Sequence, residues 1–283
     1  MSGRLVAGLA GAVTGRTVRQ ALDARVARGD ARWTRTNHRG EPISLLEGPA
    51  VAAGLAAGAL AAGGRAGLAG AVAVAGGAAF GLVDDLAEGS GEARKGLRGH
   101  LGALARGELT TGGLKVLGIG ATSLVAAGIA VGGRGRGSGP VAGVLDVAVA
   151  GALVAGTANL LNLLDLRPGR AGKAAVLAAT PLLAHRSAGP LAAAAIGAAA
   201  SGLPGDLAER DMLGDGGANA LGALVGTAAV VAAPRSVRAL LLAGVVALTV
   251  ASERVSFTEV IARTPALRAI DEWGRSSGRT VDR

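Results

Sequence analysis

The chain has 283 residues, of which 50% are hydrophobic, with a mean hydropathy of +0.46, 49 glycines and 1% aromatic residues. This composition is too apolar for an ordinary soluble domain and is typical of a polytopic membrane protein. The net charge of +9 is best explained by basic loops against anionic lipid, because stacking aromatics for nucleic acid are scarce; the lack of cysteine excludes disulfides and thiolate metal sites.

Apolar segments separated by short arginine-bearing links predict an all-α, polytopic transmembrane helix bundle of about nine spans. The bundle forms a single integral membrane domain over residues 1–283, whose cytoplasmic loops carry the chemistry and whose residues 253–283 form a cytoplasmic tail. The first segment is expected to be retained, since it lacks a clear cleavage site and arginines follow it. The predicted spans are residues 3–18, 44–63, 66–84, 112–132, 140–160, 173–185, 188–204, 217–233 and 237–252.

Small residues dominate these spans, so each is weakly hydrophobic and close helix packing is expected to help hold the bundle together. The alternative is a compositional bias towards Ala, Gly and Arg without meaning for packing. Residues 44–84 and 173–204 are each expected to form a hairpin with a tiny outer turn. The stretch "GRGRGSG", Gly133 to Gly139, is expected to be an external flexible link.

The distribution of charge predicts the orientation of the bundle. If Asp84 and Asp85 lie on the cytoplasmic side, 22 of the 29 Lys and Arg residues are inside, as the positive-inside rule requires. Of the 20 acids, 19 are also inside, the exception being Asp146 within a span. We therefore expect any chemistry to face the cytoplasm.

The stretch "FGLVDDLAEG" ends the third predicted span with Asp84 and Asp85 side by side. Like charges so close raise one pKa, so one acid can act as a base while its neighbour holds charge. The alternative, a pair of solvated helix-end acids, is disfavoured by the helix dipole at this end. In the next loop Arg94, Lys95 and Arg98 can bind phosphate, with Lys95 the preferred ligand, or can anchor the loop to the inner face.

Asn159, Asn162 and Asp165 follow at three-residue intervals in "NLLNLLD", so they lie on one face of a helix end and predict a polar pocket wall. In "MLGDGGANALG", Asp215 lies at or just before a helix start. The glycines around it are expected to leave backbone amides uncovered for phosphate while the carboxylate binds Mg²⁺. The alternative is a plain Asp N-cap.

These motifs resemble, in order and spacing, those of the polyprenyl-phosphate N-acetylhexosamine-1-phosphate transferases, the glycosyltransferase 4 family that starts lipid-linked cell-wall and polysaccharide assembly. "GLVDDLAEG" is similar to the paired-aspartate motif, "NLLNLLD" to the Asn-x-x-Asn-x-x-Asp motif and "MLGDGGANALG" to the Gly-Asp-x-Gly-Ser segment. "NHRGEPISLLEGP", from Asn37 to Pro49, is similar to the loop before the second family helix.

The resemblance implies transfer of a sugar 1-phosphate from a UDP-sugar to polyprenyl phosphate, with release of UMP, at the cytoplasmic face of a bacterial inner membrane. It implies Mg²⁺ as cofactor, bound by Asp215, and a homodimer as a family expectation. It further implies that Asp84 and Asp85 act on the polyprenyl phosphate or the metal, and that the nucleotide side is lined by Asn159, Asn162 and Asp165.

The chain also departs from the family pattern. Pro168 stands where a second aspartate often follows, and residues 252–275 lack the family's histidine-rich motif, with Arg254, Arg263 or Arg268 as candidates to supply positive charge. These departures keep a second hypothesis open, a catalytically silent relative that binds a lipid carrier and acts as a scaffold. A cation transporter fits less well, because the acids lie at helix ends and not at mid-bilayer.

Overall fold

The computed structural model describes residues 2–37, 39–88, 110–132 and 139–275, and in these ranges the chain is all-α apart from one short hairpin. The hairpin strands are β1 (Thr34–Thr36) and β2 (Pro42–Ser44). The helices are α1 (Ser2–Arg25), α2 (Glu47–Ala62), α3 (Gly64–Glu88), α4 (Thr111–Val131), α5 (Pro140–Leu164), α6 (Arg170–Ala179), α7 (Gly189–Leu207), α8 (Gly214–Ala232), α9 (Arg235–Ser252), α10 (Phe257–Arg263) and α11 (Pro265–Glu272).

Five helices within the described ranges, α3, α4, α5, α8 and α9, are long and apolar enough to cross a membrane. The predicted span 173–185 differs from expectation, because α6 ends after ten residues and continues as a 3-10 turn over Thr180–Ala184. Pro181 lies in that turn and cannot donate an α-helical hydrogen bond, which accounts for the change. Residues 133–138 of the predicted external link lie outside the described residues.

The predicted span 44–63 begins three residues before α2, because Ser44 ends strand β2 and the helix starts only at Glu47. β1 pairs antiparallel with β2, and Ser44 bridges on to the segment before α8. The Ser44 N–H donates to the Arg210 carbonyl at 3.0 Å, and the Met212 N–H donates to the Ser44 carbonyl at 2.9 Å. The hairpin is therefore tied to the loop that leads into α8, the helix that carries Asp215.

Helix α8 lies at the centre of the bundle, where it packs against α2, α3 and α5, and 83% of its most apolar stretch is buried. Helix α1 packs against α2 and α7. Helix α9 lies at the edge, with 6% of its stretch buried. In a membrane this exposed apolar surface faces lipid, since lipid tails solvate Leu and Val as well as protein does.

Glycines allow the central helices to approach one another closely. A Cβ on Gly54 would lie 2.5 Å from a carbonyl oxygen of α1, and one on Gly81 would lie 2.4 Å from the Asp215 carbonyl oxygen. Neither distance accommodates a side chain, so close packing explains these glycines. By contrast, Gly143 of α5 and Gly244 of α9 have no described atom within 4 Å of such a Cβ, and packing does not explain them.

Candidate functional site

A cavity of about 580 Å³ opens at one end of the bundle. Its walls come from the ends of α3, α5, α7 and α9, the starts of α4 and α8, and the β-hairpin. Lys95, a predicted phosphate ligand, lies outside the described residues. The structure brings the other predicted site residues together on this cavity: Asp84, Asp85, Asn159, Asn162, Asp165 and Asp215.

Lys115, near the start of α4, bridges two of these acids. Its Nζ lies 2.6 Å from Asp84 Oδ2 at the end of α3 and 2.5 Å from Asp215 Oδ2 in the first turn of α8. Three helices that are distant in sequence therefore converge on one cation position. The predicted motifs do not single out Lys115. The signal that identifies it is a lone charge in an otherwise uncharged apolar run, because such residues are expensive within a membrane.

Asp85 holds the backbone at the start of α8. Its Oδ1 accepts the Asp215 N–H at 2.9 Å and its Oδ2 accepts the Gly216 N–H at 2.8 Å. The expectation that these amides stay uncovered for phosphate is therefore wrong for Gly216, since Asp85 from the end of α3 already accepts its N–H and stabilises the positive end of the helix dipole.

Gly214 is the point at which the chain turns into α8. Its φ of +62° lies in the left-handed region, which side chains with a Cβ rarely adopt. A Cβ there would also lie 3.1 Å from both Asp85 carboxylate oxygens. Asp215 follows as the second residue of α8, so it is not the N-cap, and its side chain remains directed to Lys115.

The predicted polar wall is formed at the end of α5. Asn159 and Asn162 lie in its last turns, and Asp165 is its C-cap. The Asn162 Oδ1 atom is buried and has no hydrogen-bond partner among the described residues. Burial, with the nearby charges of Asp206, Asp215 and Asp85, raises the pKa of Asp165 well above its usual value. The wall therefore offers one unpaired acceptor and one acid that is protonated more readily than in water.

The turn after Asp165 is held from two directions. The Gly169 N–H donates to Asp206 Oδ2 of α7 at 2.9 Å, and Arg275 Nε donates to the Pro168 carbonyl at 3.1 Å. Asp206 lies beyond the predicted span 188–204; burial and the charge of Asp211 raise its pKa to about 6, although the Gly169 hydrogen bond acts in the opposite direction. The conformation of the wall thus depends on both α7 and the C-terminal segment.

The described part of the predicted cytoplasmic tail, residues 253–275, is docked against the bundle, a contact that the sequence did not specify. Arg170 at the start of α6 forms a buried bidentate pair with Asp271 of α11, with Nε–Oδ1 at 2.8 Å and Nη2–Oδ2 at 3.2 Å. Arg170 Nη1 also donates to Thr258 Oγ1 of α10 at 3.0 Å, and Lys173 Nζ donates to the Asp271 carbonyl at 2.7 Å. Burial alone would raise the pKa of Asp271, but the Arg170 hydrogen bond and charge lower it overall.

The β-hairpin closes another side of the cavity. The Arg35 guanidinium donates to the Asp85 backbone carbonyl, and Arg39 Nη2 lies 2.6 Å from Glu209 Oε1. Asn37 Nδ2 also donates to Glu209 Oε2 at 3.5 Å. The stretch that resembles a family loop, residues 37–49, contains β2 and the start of α2, and β2 pairs with β1 beside the site. Arg35 of β1 is a second basic residue that the motifs did not indicate.

Among the described residues that line the cavity, eight side chains are acidic and three are basic. Such a cavity repels a phosphate or diphosphate unless cations accompany it. Across the ranges that the structure describes, no three acidic or histidine side chains are placed to hold one metal ion. Mg²⁺, however, is usually bound through one or two carboxylates together with substrate phosphates, and Asp84 and Asp215 already converge on one cation position.

Comparison with known proteins adds no family to this description. The chain matches no protein-family model, and no curated protein is significantly similar to it.

Proposed function

We propose that the chain transfers a sugar 1-phosphate from a UDP-sugar to polyprenyl phosphate and releases UMP. The observation that carries the proposal is the convergence of Asp84 and Asp215 on one cation position, in an acid-rich cavity at the ends of apolar helices. A lipid phosphate at the membrane surface and a water-soluble nucleotide sugar can both reach such a place. We place the protein, as part of the same proposal, in a bacterial inner membrane with its cavity facing the cytoplasm.

The residues present fit the Mg²⁺ ion that this reaction requires. Asp84 and Asp215 supply hard oxygen ligands, which is the donor type that Mg²⁺ prefers. When bound, the ion would neutralise charge on the diphosphate and charge that develops during its displacement. Lys115, whose Nζ lies between the two carboxylates, is a compact cation that can turn to a phosphate oxygen.

The other residues position these groups. Asp85 accepts the Asp215 and Gly216 N–H groups at the start of α8, so the Asp215 side chain is held in one orientation. The unpaired Asn162 Oδ1 can accept an N–H from the substrate, which would remove the cost of a buried acceptor without a partner. These contacts fix the positions of the acids before the substrate binds. Preorganised charges of this kind usually make the largest contribution to transition-state stabilisation in enzymes.

The experiment is an assay of UMP release in membranes supplied with polyprenyl phosphate, UDP-sugars and Mg²⁺. We expect Asp215→Asn and Asp84→Asn each to lower the rate by about 100-fold or more. Arg186→Gln, an exposed position between α6 and α7, is the matched control and should keep the rate of the unmodified chain. The same background rate in all four proteins would contradict the proposal.

The second candidate is a catalytically silent relative that binds a lipid carrier and acts as a scaffold. The contact that favours it is the Lys115 bridge, because an ammonium group already neutralises the carboxylates that a metal would use. A scaffold would retain labelled polyprenyl phosphate in purified protein without releasing UMP from any UDP-sugar. An enzyme would bind the lipid and release UMP when the UDP-sugar is added.

The nine-span arrangement is part of the proposal, with α1, α2, the α6 segment and α7 crossing in addition to the five long apolar helices. The chain has no cysteine, so single-cysteine variants report position without background. Ser187→Cys, before α7, should react with a membrane-impermeant maleimide added to intact cells. Ser256→Cys, before α10, should react after the cells are opened, and the reverse pattern would contradict the orientation.

A further inference from the structure

Helix α11 carries exposed apolar side chains beside the residue through which it is docked. Asp271 is buried against Arg170, whereas Leu267, one turn before it, and Ile270, its neighbour in the chain, stay exposed. These two side chains are 45% and 43% exposed, and Trp273, directly after the helix, is 76% exposed. An exposed apolar surface ending in tryptophan is expensive in water and requires a partner.

The docking contacts fix how deep this surface lies relative to the bundle. Arg170, which pairs with Asp271, is the first residue of α6, at the end of the bundle that holds the cavity. From the other side, α10 begins five residues after α9 ends at Ser252. Helix α9 is long and apolar enough to cross a membrane and is almost entirely exposed in the bundle. Both connections therefore place α10 and α11 at the level where helices leave the hydrocarbon.

We propose that α10 and α11 form an interfacial anchor, with Leu267, Ile270 and Trp273 inserted among the lipid headgroups of the leaflet beside the cavity. The bilayer surface is the occupant because it is continuous with the lipid-facing side of α9, which leads directly into α10. Tryptophan is enriched at this depth, and Arg268 on the same helix can reach lipid phosphates. A second protein copy, the alternative occupant, has no comparable continuity with the lipid boundary.

The anchor is connected to the cavity by the same residues that dock it. Arg275 Nη2 lies 3.0 Å from Asp271 Oδ2, and Arg275 Nε donates to Pro168 in the turn that lines the cavity. Lipid contact at Trp273 therefore supports the polar wall through Asp271 and Arg275. This inference stands apart from the proposed function, because an anchor of this kind would serve an enzyme or a scaffold equally.

The experiment uses the fluorescence of Trp273. The chain contains two tryptophans, Trp33 and Trp273, so Trp33→Phe leaves one reporter in the full-length protein. The variant is placed in lipid nanodiscs of phosphatidylglycerol and phosphatidylcholine brominated at a shallow acyl position. We expect blue-shifted emission that the brominated lipid quenches strongly and that aqueous iodide quenches weakly. Emission quenched by iodide and unaffected by bromine would overturn the proposal.

Two further variants in the Trp33→Phe background separate anchoring from folding. Arg170→Gln removes the docked pair, so we expect iodide quenching to increase while helical circular dichroism is retained. Arg186→Gln, an exposed arginine between α6 and α7 and outside the anchor, is the matched control and should keep lipid quenching. Lipid quenching that Arg170→Gln leaves unchanged would overturn the docked anchor. Protection that depends on protein concentration and not on brominated lipid would assign the surface to a second copy instead.

Discussion

Two charged clusters in the bundle have opposite composition. Near the cavity one base, Lys115, lies between two acids, whereas at the other end of the bundle one acid, Asp146, lies between two bases. Asp146 Oδ1 is 2.7 Å from Arg238 Nη1, and Asp146 Oδ2 is 3.3 Å from Arg235 Nε. The first cluster joins α3, α4 and α8 beside an open volume, and the second joins α5 to the edge helix α9.

The surplus charge of each cluster has a different consequence. Beside the cavity, the extra carboxylate can take up a second cation without moving any helix. In the other cluster the Asp146 and Arg238 side chains are 9% and 5% exposed, so the two charges neutralise each other. This pair acts as a cross-link between helices α5 and α9. Clusters with similar distances can therefore differ in role, and the adjacent volume decides which one can bind a ligand.

The largest effect is expected from breaking the cross-link. Asp146→Asn leaves Arg235 and Arg238 close together without their shared acid, and we expect a loss of about 3 kcal/mol in the free energy of unfolding. Denaturant titration of the purified protein in detergent measures it. Adding Mg²⁺ should not restore the loss, since removing Asp146 leaves this cluster with two arginines and no carboxylate to bind the ion. A change in the free energy of unfolding below about 0.5 kcal/mol would show that the cross-link does not stabilise the fold.

Lys115→Met should give the next largest effect, and one that a metal reverses. It leaves Asp84 and Asp215 facing each other without a counter-charge, so we expect a loss of about 2 kcal/mol in the presence of a chelator. Mg²⁺ should recover much of it, because the vacated cation position then binds the ion and ligand binding stabilises the folded state. Thermal unfolding with and without Mg²⁺ measures both. The absence of Mg²⁺ recovery would contradict a metal position at these carboxylates.

Asp85→Asn tests whether Asp85 caps helix α8, in contrast to Asp84 and Asp215, which contact Lys115. An amide can accept at one atom only, so one of the two backbone N–H groups at the start of α8 loses its acceptor, and the negative charge there is also lost. We expect a loss of about 1 kcal/mol, as for removal of a helix cap. The measurement is the urea midpoint, and an unchanged midpoint would mean that water replaces the carboxylate without cost.

The smallest effect is a pH dependence that belongs to the cavity end. The pKa of Asp206 is about 6 in the folded chain against 3.8 ordinarily, so the folded state binds more protons and stability falls as pH rises from about 4 to 6. Between pH 5 and 7 we expect a loss of about 1 kcal/mol. Asp206→Asn should flatten this slope in unfolding midpoints, and Glu259→Gln, an exposed acid, should not. An unchanged slope in Asp206→Asn would assign it elsewhere.

The sequence was sufficient to predict the helices but not all of their lengths. Runs of Ala, Gly, Val and Leu marked the nine apolar segments because hydrophobicity is a property of composition, and each overlaps one described helix. The early end of α6 depends on Pro181, whose effect the apolar composition hides. The extended segment before α2 depends on Ser44 pairing with a loop far along the chain.

The site residues were predictable where a local sequence pattern marks them. Paired acids at a helix end and polar residues at three-residue intervals are visible in the sequence, and they line one cavity. The contacts that organise them are not local: Lys115 and Asp215 are 100 positions apart, and Arg170 and Asp271 are 101 apart. Such contacts also decide whether the backbone N–H groups near Asp215 are free or hydrogen-bonded to carboxylates. The amino-acid composition of the stretch does not predict these contacts.

Helix α9 is fixed at both of its ends. Arg238 fixes its first turn to Asp146, and the short connection to α10 leads to the docked pair at Asp271. Between the ends, Leu242 and Val245 pack against the core, whereas other apolar side chains of the 18-residue helix, such as Leu240, are exposed. Inserting one residue would rotate the following residues by about 100° and advance them by about 1.5 Å, so that one of the two end contacts would break. Natural variants of this helix are therefore expected to exchange lipid-facing side chains readily and to keep their residue count.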